Sequence, residues 1–282
     1  MHTFFPTPSD DGFPDGVPDD LDSQVSELLN SVDTEATHGM QSGSHPDDSA
    51  ESVDAEGYWA LSRTPLMSLV FTLPLVLAYE GGVLLLGRSS PRNGADVWLR
   101  HLLDATGFGS YFLLPLLMLL GLLAWHHFEH DRWRFSPTVL LGMLAECLLL
   151  SLLLVALARL QNHLWPLDLA DTRQGIFARI VGFCGAGLYE EILFRLLLLP
   201  TVAWVCQRAG IGSAAACFYS VLLTSLLFSA AHYVGPLGDT FAFYSFTFRA
   251  MAGVFFATLF VVRGFGIAAG THAGYDMLVG LL

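Results

Sequence analysis

Long apolar runs separated by short polar connections follow one another from Tyr58 to the end of the chain. A helix that crosses a membrane needs about 20 mostly apolar residues, because the hydrocarbon core is about 30 Å thick. Each span must satisfy its own backbone hydrogen bonds in lipid, so runs of this length predict helices rather than the strands of a barrel. The pattern predicts an all-α, polytopic transmembrane helix bundle of about seven spans, namely Pro65–Leu86, Tyr111–Trp125, Thr138–Leu160, Val181–Cys206, Ser213–His232, Phe241–Val262 and Gly266–Leu282.

The first 57 residues follow a different pattern, being rich in Asp, Ser, Gly and Pro. They hold 14 of the 26 acidic residues and no arginine, whereas the remainder balances 12 acidic residues against 13 arginines. Such a segment cannot bury enough apolar surface to offset the entropy of ordering. We therefore predict a disordered acidic tail over residues 1–57, followed by a transmembrane helical domain over residues 58–282.

Composition supports an integral membrane protein, since 53% of the residues are hydrophobic, 14% are charged and the mean hydropathy is +0.53. These values are far from those of a soluble domain. The lipid bilayer is thus the first expected partner, and we expect no nucleic-acid partner. Arginines are divided evenly between the two sets of connections, so the positive-inside rule leaves the orientation open. We expect a multi-pass protein of a prokaryotic cell membrane.

Three ionisable residues interrupt the otherwise apolar run from Ile180 to Val205: Glu190, Glu191 and Arg195. Charges at membrane depth are costly unless they are paired or face a wet cavity, so they indicate a functional site. Glu191 and Arg195 are separated by four residues and share a helix face, where they can neutralise each other. Glu190 points about 100° away from that pair, which makes it a candidate catalytic base.

Two further polar groups occur in the last third of the chain. His232 ends the predicted fifth span, and His272 and Asp276 share a face of the seventh. Each has a structural explanation when considered alone. If the spans alternate in direction, however, Glu190, His232, His272 and Asp276 all lie in one half of the bilayer. Scattered structural residues have no reason to meet there.

The remaining intramembrane charges favour structural explanations. Glu146 in the third span and Arg249 in the sixth are candidates to pair with each other or to line the same cavity. Structure rather than chemistry is the preferred interpretation for both. Tyr79 and Glu80, near the end of the first span, are expected at the membrane interface.

Three motifs on separate predicted helices now stand in order. They are Glu190-Glu191-x-x-x-Arg195, Phe228-x-x-x-His232 and His272-x-x-x-Asp276. Together they resemble the CAAX-protease and bacteriocin-processing family of intramembrane endopeptidases, over roughly Val181 to Leu282. Any one motif is unspecific, but three in order with membrane placement are a strong signal.

The resemblance implies a glutamate-dependent intramembrane endopeptidase that needs neither metal nor cofactor and acts on a membrane protein or peptide. Glu190 would be the catalytic glutamate, and His232 its partner in activating water. His272 and Asp276 would stabilise the oxyanion, while Glu191 and Arg195 would hold the site in shape. Asp276 departs from the family, whose best-described members have Asn there. An ionised Asp would repel an oxyanion, so Asp276 must either be protonated or orient His272.

Two other functions remain open at this point. Two histidines and a carboxylate are a familiar zinc set, although no His-Glu-x-x-His occurs in the chain. A non-proteolytic membrane protein is the other, either a transporter that uses Glu190 and His232 as a proton relay or a scaffold for a partner. Such transporters usually contain internal repeats, and the two halves of this chain show no self-similarity.

Overall fold

Helices dominate the chain wherever its structure is described. The computed structural model describes residues 57–87, 92–109, 112–129, 133–164, 175–235 and 238–281. Within these ranges the elements are helices and no strand occurs, which confirms the all-α prediction. Residues 1–56, nearly all of the predicted acidic tail, lie outside the described residues.

We number the α-helices in chain order. They are α1 (Pro65–Leu86), α2 (Gly94–Ala105), α3 (Leu113–Phe128), α4 (Pro137–Leu164), α5 (Ile176–Gly185), α6 (Leu199–Arg208), α7 (Ser213–Ala231), α8 (Phe243–Arg263) and α9 (Phe265–Leu281). Two π-helical segments, Ala186–Glu190 and Ile192–Leu198, join α5 to α6. Because residues 176–208 are helical throughout, we call this stretch the composite helix.

Four of these helices are long and apolar enough to cross a membrane, namely α1, α4, α7 and α8. The shorter α3 is apolar as well. The predicted fourth span corresponds to the composite helix, and the predicted seventh to α9, which has 17 residues. Each predicted span is therefore helical in the described part of the chain, and the fold is that of an integral membrane helix bundle.

Helix α9 lies at the centre of the bundle, where it packs against α1, α4, α8 and the first π segment. Small residues make this close approach feasible, as is usual between membrane helices. A Cβ atom on Gly266 would lie 2.9 Å from the Cα of Ser68 in α1. The Ser68 hydroxyl accepts a hydrogen bond from the Gly266 N–H at 3.1 Å, and Ser151 of α4 donates to the Thr271 carbonyl at 2.9 Å.

A single glycine separates α8 from α9. Gly264 has φ +88°, a backbone conformation that residues other than glycine rarely adopt. Its N–H donates to the Phe260 carbonyl at 3.0 Å. Glycine reaches this region without a steric penalty because it has no Cβ. The chain can therefore end α8 and begin the buried α9 one residue later.

The structure gives the partners of two intramembrane carboxylates. Glu146 does not pair with Arg249; both of its carboxylate oxygens accept hydrogen bonds from Arg263, at 2.6 and 2.7 Å. Glu80 is buried within the protein, with 7% exposure, and it accepts hydrogen bonds from Arg100 and Tyr189. Sequence spacing could not reveal these partners, because they lie on other helices.

We expect Glu146→Ala to destabilise the bundle, because it leaves a buried cation without its carboxylate. Arg263 is 2% exposed, donates to the Ser62 hydroxyl at 2.9 Å and lies 3.7 Å from the centroid of the Trp59 ring. Removing one partner of a buried pair costs about 3–5 kcal/mol, and the partly exposed Glu146 favours the lower end. Thermal unfolding in detergent measures the loss.

The matched control is Arg159→Ala, an exposed position on the same helix, which should leave the unfolding temperature nearly unchanged. The double variant Glu146→Leu/Arg263→Met should be more stable than Glu146→Ala, since it removes both charges together. An unfolding temperature for Glu146→Ala equal to that of the native chain would contradict a structural role for the pair.

Candidate active site

The centre of the composite helix departs from α-helical geometry at the two adjacent carboxylates. Glu190 ends the first π segment, Ile192 begins the second, and Glu191 lies between them with φ −68° and ψ −34°. π-Helical turns, with their i→i+5 hydrogen bonds, are rare and frequently occur at functional sites. The local geometry thus marks the same residues that the sequence singled out.

Glu191 is fully buried, and each of its carboxylate oxygens contacts a different partner. Its Oε1 lies 2.7 Å from Nδ1 of His272, and its Oε2 lies 3.1 Å from Nε of Arg195. Arg195 is 1% exposed, donates to the Gly253 carbonyl at 3.2 Å and stacks over the Phe228 ring at 4.5 Å. These contacts connect the composite helix to α8 and α9 and link it to α7.

Glu190 has a different environment on each carboxylate oxygen. Its Oε1 accepts a hydrogen bond from Nδ2 of Asn93 at 2.8 Å. Its Oε2 lies 3.9 Å from Nε2 of His232 and 3.8 Å from Nε2 of His272, and it has no hydrogen-bond partner within the described residues. One oxygen is therefore fixed, and the other is flanked by two imidazoles.

The orientation of both imidazoles follows from their Nδ1 contacts. Nδ1 of His232 lies 2.9 Å from the Phe228 carbonyl, which can only accept, so this nitrogen carries the proton. Nδ1 of His272 likewise faces the carboxylate of Glu191, and the ring stacks on Phe256 with centroids 4.4 Å apart. In the neutral form each histidine presents an unprotonated Nε2 toward Glu190.

A cavity of about 290 Å³ opens beside these groups, between α7, α8 and α9. His232, His272 and Asp276 contribute to its wall, and Oδ2 of Asp276 lies 3.7 Å from Nε2 of His272. The remaining wall is mostly aromatic or small and includes Arg249, being formed by Phe228, Tyr244, Ser245, Phe248, Arg249, Ala252, Phe256 and Tyr275. A cavity that combines aromatic walls with convergent polar groups is a candidate ligand site.

The structure thus brings together all four residues predicted as catalytic, together with the predicted pair. Sequence reasoning missed Asn93, which lies in the N-cap position of α2. Its Oδ1 accepts from the Ala95 N–H at 2.8 Å, and its own N–H donates to the Tyr79 hydroxyl at 3.2 Å. Because the cap fixes the side-chain amide, Nδ2 points at Glu190. An Asn three residues before Asp96 can be recognised in the sequence as a helix cap. The sequence does not show, however, that its Nδ2 group donates to Glu190.

Within the described ranges, no group of three or more His, Cys, Asp or Glu side chains is arranged to hold a metal ion. Glu191 instead pairs with Arg195, and Glu190 contacts Asn93 and lies near His232.

Comparison with known protein families gave a match to this part of the chain. Residues 172–278 match the family model described as type II CAAX prenyl endopeptidase, Rce1-like. The matched range contains all three motifs, so the resemblance inferred from them is confirmed. No match to a curated protein or to a solved structure was found.

We expect Gly187→Ala to disrupt the site without touching any of its polar groups. A Cβ on Gly187 would lie 2.6 Å from the backbone nitrogen of Ala273 in α9, and backbone cannot move aside as a side chain can. The composite helix and α9 would separate, which moves Glu190 and Glu191 away from His272. Lowered thermal stability and loss of peptide cleavage are the expected measurements.

Gly182→Ala is the matched control on the same composite helix, since a Cβ there meets no atom within 4 Å. It should retain stability and activity. Equal behaviour of the two variants would contradict the close contact between the first π segment and α9.

Proposed function

We propose that this membrane protein hydrolyses peptide bonds through Glu190 and His232. The premise is that residues 172–278 belong to the Rce1-like CAAX prenyl endopeptidase family. The observation that carries the proposal is the position of Oε2 of Glu190. It lies within 3.9 Å of two imidazole nitrogens and has no hydrogen-bond partner within the described residues. A water molecule placed there has acceptors for both of its protons.

Activation of water needs a base and an orienting group. Asn93 holds Oε1 of Glu190, so Oε2 is the oxygen that takes the proton. His232 orients the water through Nε2, because its Nδ1 proton is committed to the Phe228 carbonyl. The water oxygen then forms a bond to the carbonyl carbon of the peptide.

Negative charge develops on the carbonyl oxygen during this attack, and hydrogen-bond donors must face it. His272 in its imidazolium form presents an N–H at Nε2, and Glu191 at Nδ1 compensates that charge. Protonated Asp276, with Oδ2 3.7 Å from Nε2 of His272, would supply a further donor from the same wall. When the carbon–nitrogen bond breaks, the proton held by Glu190 passes to the departing amine.

Glu191 and Arg195 keep this arrangement in place rather than react. Both are withdrawn from the cavity wall, with exposures of 0% and 1%. The cavity between α7, α8 and α9 is lined mainly by aromatic rings, which suits a substrate presented from the membrane. We therefore expect a membrane protein or a lipid-modified peptide as the substrate.

Glu190→Gln is expected to lower cleavage by about 100-fold or more, the range of general acid–base catalysis, because it removes the proton acceptor at nearly constant volume. The assay is release of the C-terminal fragment from a prenylated CAAX-type peptide, followed by mass spectrometry with the full chain in detergent. Asp104→Asn, at an exposed position, serves as the control and should retain activity.

Two outcomes would change the proposal. Retained cleavage by a folded Glu190→Gln chain would remove Glu190 from the role of base. Loss of native activity on chelation, with recovery on addition of zinc, would favour the zinc-dependent alternative.

Asn93 gives a second test, on a residue that positions the base without touching the substrate. Asn93→Ala should lower kcat about tenfold or more with little change in KM, because a hydrogen bond to a charged group is lost. Asn93→Asp keeps the helix cap but places a second negative charge beside Glu190, so it should be less active than Asn93→Ala. Steady-state kinetics on the same peptide provide both parameters.

An Asn93→Asp chain with native kcat would show that the amide proton is not needed by Glu190. Equal thermal stability of the Asp variant and the native chain separates this effect from loss of the cap.

A further inference from the structure

Arg249 is a cation on the cavity wall that the proposed reaction does not use. It projects from α8 into the same cavity as His232, His272 and Asp276. The sequence suggested a purely structural residue, and its predicted partner Glu146 is bound elsewhere. A charged group on the wall of an otherwise mostly aromatic cavity points to a ligand of opposite charge.

The guanidinium group is held on one side and unused on the other. Nη2 donates to Oδ2 of Asp239 at 2.5 Å, and the group lies 5.3 Å from the centroid of the Tyr233 ring. Nη1 is shielded from solvent and has no acceptor within the described residues. Buried donors in native proteins almost always have an acceptor, so Nη1 is available to a group outside the described residues.

We propose that Arg249 binds the C-terminal carboxylate of the peptide substrate, an inference that rests on the proposed function. Guanidinium donors match carboxylate oxygens in geometry and charge, and such hydrogen bonds are stronger than neutral ones. The hydroxyls of Tyr244, Ser245 and Tyr275 line the same cavity and offer further donors to an anion.

The size of the cavity favours a chain end over a continuous polypeptide. Its volume of about 290 Å³ is at the lower limit of the about 300–1,000 Å³ typical of small-molecule sites. Only a few residues fit in that space. A short C-terminal fragment with its carboxylate on Arg249 would occupy the cavity beside His232.

A binding experiment tests this assignment separately from catalysis. The full-length Glu190→Gln chain, reconstituted in zwitterionic lipid nanodiscs, is titrated with two fluorescent prenylated CAAX-type peptides. The peptides are identical except that one ends in a free carboxylate and the other in an amide. Fluorescence anisotropy gives the two dissociation constants, and their ratio measures recognition of the carboxylate.

The acid is expected to bind about 10- to 100-fold more tightly than the amide, the range of a charge-assisted hydrogen bond. Adding Arg249→Gln should bring the ratio close to one, whereas Arg249→Lys should retain part of it because the charge remains. Arg208→Gln is the matched control: Arg208 is exposed, stacks on Trp204 with 5.2 Å to the ring centroid and does not line the cavity. It should keep the full ratio.

Equal binding of acid and amide to the Glu190→Gln chain would overturn the proposal, as would a preference for the acid that Arg249→Gln leaves intact. Failure of the proposed function has a different signature. In that case the chain with native Glu190 cleaves neither peptide, whatever the ratio of their dissociation constants.

Discussion

The buried carboxylate of Glu191 is the constraint on which the rest of the structure depends. Lipid and packed side chains cannot solvate a charge, so Glu191 must be compensated by protein groups. Arg195 supplies one from the next turn of the same helix, and His272 supplies the other from α9. Arg195 in turn donates to a carbonyl of α8. Three segments that are distant in sequence therefore have to close on one ion, and this closure places Glu190 within 3.8 Å of His272.

Because the bundle closes around Glu191, the adjacent Glu190 has different surroundings. Successive helical residues point about 100° apart, so a helix that buries one of them turns the other toward a different neighbour. Glu191 is 0% exposed, whereas the side chain of Glu190 keeps 13% exposure and meets Asn93 and the two imidazoles. Structural and chemical duties are thus divided between two chemically identical side chains. The division explains why a membrane helix carries two costly carboxylates in succession.

Hydrophobic pattern and helical spacing were sufficient to predict the apolar helices, although not α2, and to bring Glu190, His232, His272 and Asp276 together. These features are local or follow from alternating spans. Helical spacing does not reveal partners on other helices: Glu146 was a candidate to pair with Arg249 but binds Arg263, and Glu80 accepts a hydrogen bond from Arg100. Asn93 was missed because a cap is readable from sequence while the direction of its second donor depends on tertiary packing. The π segments were also unpredicted, since apolar periodicity does not distinguish them from α-helix.

The π segments give the composite helix a property that a regular helix lacks. In a uniform α-helix every residue turns by the same angle of about 100°. The face that contacts a neighbour at one end therefore fixes which face is available to a neighbour at the other end. Here α5 packs against α1 and α9, the first π segment against α9, α2 and α1, and the second π segment together with α6 against α7. A π turn holds more residues than an α turn, so it changes the direction in which all later side chains of the helix point. If residues 176–208 formed one regular α-helix, its second half would therefore turn different side chains toward α7.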